Sequence, residues 1–69
     1  MDWICLASSN LSAVRYDEAT NTLEVEFVGG KIYQYFDVPL QIFEGLTNAE
    51  SCGKFLNENI KGHYRYARL

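Results

Sequence analysis

Leu23, Val25 and Phe27 alternate with Thr22, Glu24 and Glu26, the period of a strand with one face buried. A turn signal follows at Val28-Gly29-Gly30-Lys31. After it comes Ile32-Tyr33-Gln34-Tyr35-Phe36, rich in β-favouring residues, so the pattern predicts a hairpin closed at the glycine pair. With Gly29 and Gly30 as a two-residue loop, Phe27 faces Ile32, Val25 faces Gln34 and Leu23 faces Phe36. The core face then holds Leu23, Val25, Phe27, Ile32 and Phe36, with Gln34 as its polar member, and Tyr33 and Tyr35 point the other way. An odd number of loop residues reverses this: Tyr33 then pairs with Phe27, and both tyrosines turn into the core. Upstream, Val14 and Tyr16 alternate with Ala13 and Arg15. The polar stretch 17–22 makes a second turn that sets Tyr16 opposite Leu23 and Arg15 opposite Glu24. In the two-residue register the outer face carries Arg15, Glu24, Glu26, Tyr33 and Tyr35.

Beyond the strands the apolar period changes. Pro39 suits the first turn of a short helix whose stripe is Leu40, Phe43 and Leu46, with Ile42 beside it. Thr47-Asn48-Ala49-Glu50 matches a capping box, in which the hydroxyl and the carboxylate each satisfy a free N–H at a helix start. A second helix follows, with Ala49, Cys52, Leu56 and Ile60 at three- and four-residue steps and Phe55 nearby, and Gly62 as its stop. The expected fold is α+β: a three-stranded antiparallel meander followed by two helices packed on one face. Residues 3–7 are a candidate edge strand, and residues 64–69 are placed running back over the body.

A chain of 69 residues has room for a single domain, residues 1–69, with one small core. Ten aromatics in that length (Trp3, five Tyr and four Phe) make an aromatic-rich core the expectation. So small a core leaves little space for a substrate pocket of several hundred Å³, which argues against most enzymes. The net charge of -3 and a pI near 4.9 are opposite to the footprint of an all-round nucleic-acid binder. The charge is nonetheless segregated. Residues 1–50 set eight acids against Arg15 and Lys31, a net -6, whereas residues 51–69 set Lys54, Lys61, Arg65 and Arg68 against Glu58, a net +3 with His63 nearby. Residues 3–7 follow Asp2, are too short for a signal sequence and lack a basic flank, so the cytoplasm is the expected compartment. No run approaches the roughly 20 apolar residues of a membrane span. Cys5 and Cys52 are read as two buried small hydrophobes, since two distant cysteines make neither a disulfide scaffold nor a CxxC motif.

One resemblance runs through nearly the whole chain. The Ser8-Ser9 pair, Tyr16-Asp17, Leu23-x-Val25-x-Phe27, Gly30 ahead of Tyr33-Gln34-Tyr35, Val38-Pro39, Ser51-x-Gly53-x-Phe55-x-Asn57-x-x-Ile60 and a late Tyr64 resemble the KTSC domain. That family is named for its occurrence at the C-terminus of some lysyl-tRNA synthetases and also occurs as small stand-alone bacterial proteins. The resemblance implies RNA as the partner, through the association with a synthetase.

Two surfaces follow as candidates. Tyr33 and Tyr35 lie two residues apart on one strand, so both rings share a face and form a stacking platform for bases wherever that face is open. In the two-residue register Glu24 and Glu26 flank them and repel phosphates, with Arg15 offsetting one of the two. In the other register the tyrosines are core. The second surface is the basic tail, Lys54, Lys61, His63, Arg65 and Arg68 interleaved with Tyr64 and Tyr66. Each cation there can neutralise a phosphate while the rings stack. The plain alternative is a solvated helix end, where Lys61 sits favourably near a helix C-terminus. Cys52 falls on the apolar stripe and has His63 as its only conceivable base; Glu24 and Glu26 share a flat sheet face without a cleft. A lone histidine without a Cys/His cluster argues against a zinc site, and Gly29-Gly30 lacks the spacing of a phosphate loop. The expectation is a non-catalytic binding module without cofactor or metal. Its expected partner is RNA, bound by Lys54, Lys61, Arg65, Arg68, Tyr64, Tyr33 and Tyr35. The competing class is a protein-interaction module that docks a partner on the acidic sheet face or an uncovered aromatic patch.

Overall fold

A computed structural model describes residues 3–5 and 10–69. Strands β1 (Ile4–Cys5), β2 (Leu11–Asp17), β3 (Thr22–Phe27), β4 (Ile32–Tyr35) and β5 (Tyr66–Arg68) form one sheet in the order β1-β2-β3-β4-β5, every neighbouring pair antiparallel. Helices α1 (Leu40–Asn48) and α2 (Cys52–Asn59) lie between β4 and β5 in the chain. The meander followed by two helices is therefore present, and a short strand is added at each edge. One of these, β1, lies where the sequence marks an edge strand; residues 6–9, which include the rest of that stretch and the Ser8-Ser9 pair, lie outside the described residues, as does the side chain of Cys5. The other, β5, comes from the segment expected to run over the body, and it pairs with β4 instead. No helix among the described residues is long and apolar enough to cross a membrane.

The β2–β3 register is the expected one, Tyr16 opposite Leu23 and Arg15 opposite Glu24. A shift between Leu11 and Ala13 places Leu11 opposite Phe27 and Ala13 opposite Glu26, so Ser12 is the extra residue of a bulge. Leu11, three residues before Val14, thereby reaches the core face that simple alternation denies it.

The β3–β4 register differs from the two-residue reading. Three residues, 28–30, form the loop: the Phe27 N–H donates to Lys31 O (2.8 Å) and the Gly30 N–H to Phe27 O (3.0 Å). Val25 then faces Tyr33 and Leu23 faces Tyr35, so both tyrosines turn to the helix side, while Ile32 and Gln34 face outward. This is the parity of the odd-loop alternative, with Tyr33 opposite Val25 rather than Phe27. The cause is Val28. Its N–H donates to Asn10 O (2.9 Å), which makes it the first loop residue, 63% exposed, and leaves Gly29 and Gly30 to take the positive φ values of 103° and 90°.

The core lies between the inner sheet face and the helices. Leu11, Val14, Tyr16, Leu23, Val25 and Tyr35 from the sheet meet Val38, Leu46, Cys52, Leu56 and Ile60. Each fully buried aliphatic side chain contributes about 1.5–3 kcal/mol. Of the expected α1 stripe, Leu46 is buried and Phe43 stacks on Tyr16, but Leu40 stays exposed on the first turn. The expected capping box is absent. The Thr47 hydroxyl and the Asn48 amide donate to Glu44 O and close the end of α1, and Ser51 caps α2 by accepting from the Lys54 N–H (3.3 Å). Past α2 the chain turns at Gly62, φ 85°, and is aimed back toward the sheet edge.

Candidate nucleic-acid interface

Pairing of β5 with β4 sets Arg68 opposite Tyr33 and Tyr66 opposite Tyr35. All four side chains therefore project to the inner face, at the sheet edge farthest from β1. Tyr35 is buried, at 3% exposure, whereas Tyr66 keeps 61% of its surface. The Tyr66 ring lies 5.8 Å from the Tyr33 ring and 6.0 Å from that of Tyr35, and Phe27 meets Tyr33 edge-on at 5.4 Å. Contacts of this kind fix the rings at little further entropic cost. Burial raises the phenol pKa of Tyr35 above its ordinary value, and the neighbouring phenols Tyr33 and Tyr66 add to the effect.

Next to this aromatic floor is a cleft of about 720 Å³, a pocket of the size that so small a core was expected to exclude; it is borne at the sheet edge rather than carved from the core. Phe27, Tyr33, Tyr35 and Tyr66 form its base; Lys31 and Val28 border it from the hairpin, Asn57 from α2, Lys61 from the turn just past α2, and Asn10 from just ahead of β2. Among the described residues the lining carries two lysines and no carboxylate. Glu24 and Glu26, which the two-residue register sets beside the tyrosines, belong to the opposite sheet face. Glu24 is also engaged there. It accepts from Arg15, its cross-strand partner, and from Gln34 Nε2 at 2.7 Å, while the Arg15 guanidinium sits 4.5 Å over the Trp3 ring. Burial alone would raise the Glu24 carboxyl pKa, but the hydrogen bonds from Gln34 and Arg15 and the Arg15 charge outweigh it and hold the group below the usual carboxylate range.

The residues expected from the sequence are thus divided. Tyr33, Tyr35 and Lys61 line the cleft, and Arg68 lies beside Tyr33 on the neighbouring strand. Lys54 is exposed on α2, outside the lining. Arg65 bonds the Asp37 carboxylate at 3.0 Å and stands 5.7 Å over the Phe36 ring. Tyr64 is partly buried and packs against the core. Cys52 is buried and its thiol donates to Leu46 O at 3.3 Å. Among the described residues no three His, Cys, Asp or Glu side chains group as a metal set. Lys31, Asn10, Asn57 and Phe27 are site residues that the sequence reading did not select, because no local spacing connects them.

The sequence pattern of the KTSC domain matches residues 7–64. A lysine–tRNA ligase from a Nostoc species is 46% identical over 61 residues, 88% of this chain but 11% of the ligase. A protein of Stutzerimonas stutzeri is 40% identical over 70 aligned residues that cover all of this chain and 99% of its own length. The crystal structure of a KTSC domain protein from Yersinia pestis matches with a TM-score of 0.92 at 29% identity, over 99% of this chain and 96% of that one.

Proposed function

The chain belongs to the KTSC domain family, and on that premise we propose that it is a non-catalytic RNA-binding module whose contact surface is the aromatic cleft and the basic segment beside it. The observation that carries this reading is electrostatic: in a chain of net charge -3, the aromatic cleft is bordered by Lys31 and Lys61, with Arg68 next to Tyr33 and no carboxylate among the described lining residues. Cations so placed neutralise phosphates and release counterions, and exposed rings stack bases. Engagement of Glu24 by Arg15 and Gln34 on the far face removes a repulsion that would oppose an anionic ligand. The Nostoc relative is by name a ligase for lysine and tRNA, which supports RNA as the polymer. Burial of Cys52 in the core supports a role without a thiol nucleophile.

The test is an amide NMR titration of the labelled protein with mixed tRNA and with short single-stranded RNA at low salt. Shifts are expected along residues 31–35, 57–61 and 66–68, reversing as salt is added. An unchanged spectrum at high RNA excess would overturn the reading and direct the search to a protein partner.

A further inference from the structure

The cleft is chemically polar from end to end. Arg68 lies opposite Tyr33, and Lys31 precedes Tyr33 by one pleat repeat, so the two cations sit together at the hairpin end of the β4–β5 pair. Tyr66 and Tyr35 form the other end, and Lys61 borders the cleft from the turn just past α2. The Tyr66 ring is exposed yet held by contacts with two other phenols, which is the condition for a stacking platform already ordered before its ligand arrives.

We infer that this cleft takes one unpaired nucleotide, with its base on the Tyr66 and Tyr33 rings and its phosphate at Lys31 and Arg68. The inference rests on the RNA-binding reading and narrows it. Lys31 and Lys61 in the lining and Arg68 beside it, with no carboxylate among the described lining residues, select an anion, and the aromatic floor selects a planar group joined to it. A volume near 720 Å³ falls within the range of about 300–1,000 Å³ typical of sites for small ligands. Stacking on this floor requires a base turned out of its own stack, beside Asn57 of α2. In a duplex the bases are paired and covered by their neighbours, and only phosphates and groove edges are presented. The occupant is therefore a free nucleotide or an unpaired position in a strand, and both offer the same chemistry.

The test compares fluorescence anisotropy of an end-labelled single-stranded RNA octamer, the duplex of the same sequence, and AMP and UMP as competitors. The octamer is expected to bind more tightly than the duplex. Tyr66→Ala is expected to weaken it by roughly 5- to 150-fold, the range of one base–aromatic stack, while Tyr66→Phe stays within about twofold. Asn57→Asp, at an exposed helix position, introduces a carboxylate into the lining without deleting a packing group and is expected to weaken binding as well. Displacement of the octamer by AMP or UMP would identify a free nucleotide as a sufficient ligand; displacement by unlabelled strand alone would identify the unpaired position of a polymer, and either supports the cleft. Equal affinity for octamer and duplex, unaffected by Tyr66→Ala and Asn57→Asp, would overturn the cleft and leave RNA binding standing. No binding of any RNA would overturn both.

Discussion

Tyr16 shows how one aromatic side chain serves the core and the loops at once. Its ring is buried and stacks on Phe43 with centroids 5.0 Å apart, so its hydroxyl must find a partner inside the protein. It donates to the Val38 carbonyl, and Asn21 Oδ1 lies 3.1 Å away; the Val38 N–H in turn donates to Asn21 O at 2.9 Å. The hydroxyl therefore ties the β2–β3 turn to the segment that leads into α1. Tyr16→Phe removes the donor and leaves a buried carbonyl unsatisfied, which costs about 1–3 kcal/mol. The expected result is a lower urea midpoint with an unchanged slope, since the exposed surface on unfolding is the same. Burial, followed by the charges of Glu18 and Asp17, raises the Tyr16 phenol above its ordinary value of 10.0. A group whose folded pKa exceeds its unfolded one contributes stability that is complete below the unfolded value and lost as pH rises through the folded value. Wild-type stability is thus expected to fall on the alkaline side of pH 10, and Tyr16→Phe should flatten that limb; an identical alkaline profile in the variant would contradict the assignment.

Among the elements, α1 and α2 approach closely where Gly45 meets Phe55. A Cβ built there would stand 2.7 Å from Phe55 Cζ and 3.1 Å from Cε2, so the ring would have to move. Replacing Gly by Ala inside a helix gains up to about 1 kcal/mol of propensity. Overpacking a fitted contact costs about 1–3 kcal/mol, and Phe55 packs against the core, so Gly45→Ala is expected to be net destabilising. A double-mutant cycle with Phe55→Leu should recover much of the loss, and a stabilising Gly45→Ala would show that the two helices have room to spare. The elements also show where the sequence stops being sufficient. The β2–β3 register was legible because two strands of clear alternation meet across a polar turn, and Tyr16, Arg15, Leu23 and Glu24 leave one consistent pairing. The β3–β4 register was not, because a glycine pair accepts positive φ in either loop length and the choice is made by the Val28 N–H bonding to Asn10, a contact between distant segments. The capping box misled for a similar reason: Thr47 and Asn48 find the Glu44 carbonyl first, which leaves Ser51 to start α2. Of the site, the tail cations could be read from charge alone, but the pairing of β5 with β4 is what joins Lys31 to Arg68 and Tyr66 to Tyr35.

For the whole molecule the segregation of charge, net -6 over residues 1–50 and +3 over residues 51–69, matters less than where folding puts the cations. Lys31 comes from the acidic part of the chain and joins Lys61 and Arg68 at the cleft, while Arg65, from the basic part, is directed to Asp37 and Phe36. Cations that contact phosphate each contribute about 0.7 to the slope of log affinity against log salt for a single strand. Replacing Lys31, Lys61 and Arg68 together by Ala should therefore lower that slope by about 2 as well as weakening the binding. Arg65→Ala should leave the slope unchanged, because its guanidinium serves an exposed ion pair worth at most about 1 kcal/mol to stability and is turned from the cleft. The comparison separates two pictures that sequence alone treats as one. If the tail acts as a diffuse basic patch, Arg65 and Arg68 are equivalent and their single substitutions lower the slope equally. If the folded cleft acts, Lys31, thirty residues or more from either tail cation in sequence, matters and Arg65 does not. Measured over a series of salt concentrations for wild type, the triple variant, Arg65→Ala and Lys31→Ala, the slopes decide between them, since the diffuse patch predicts no effect of Lys31.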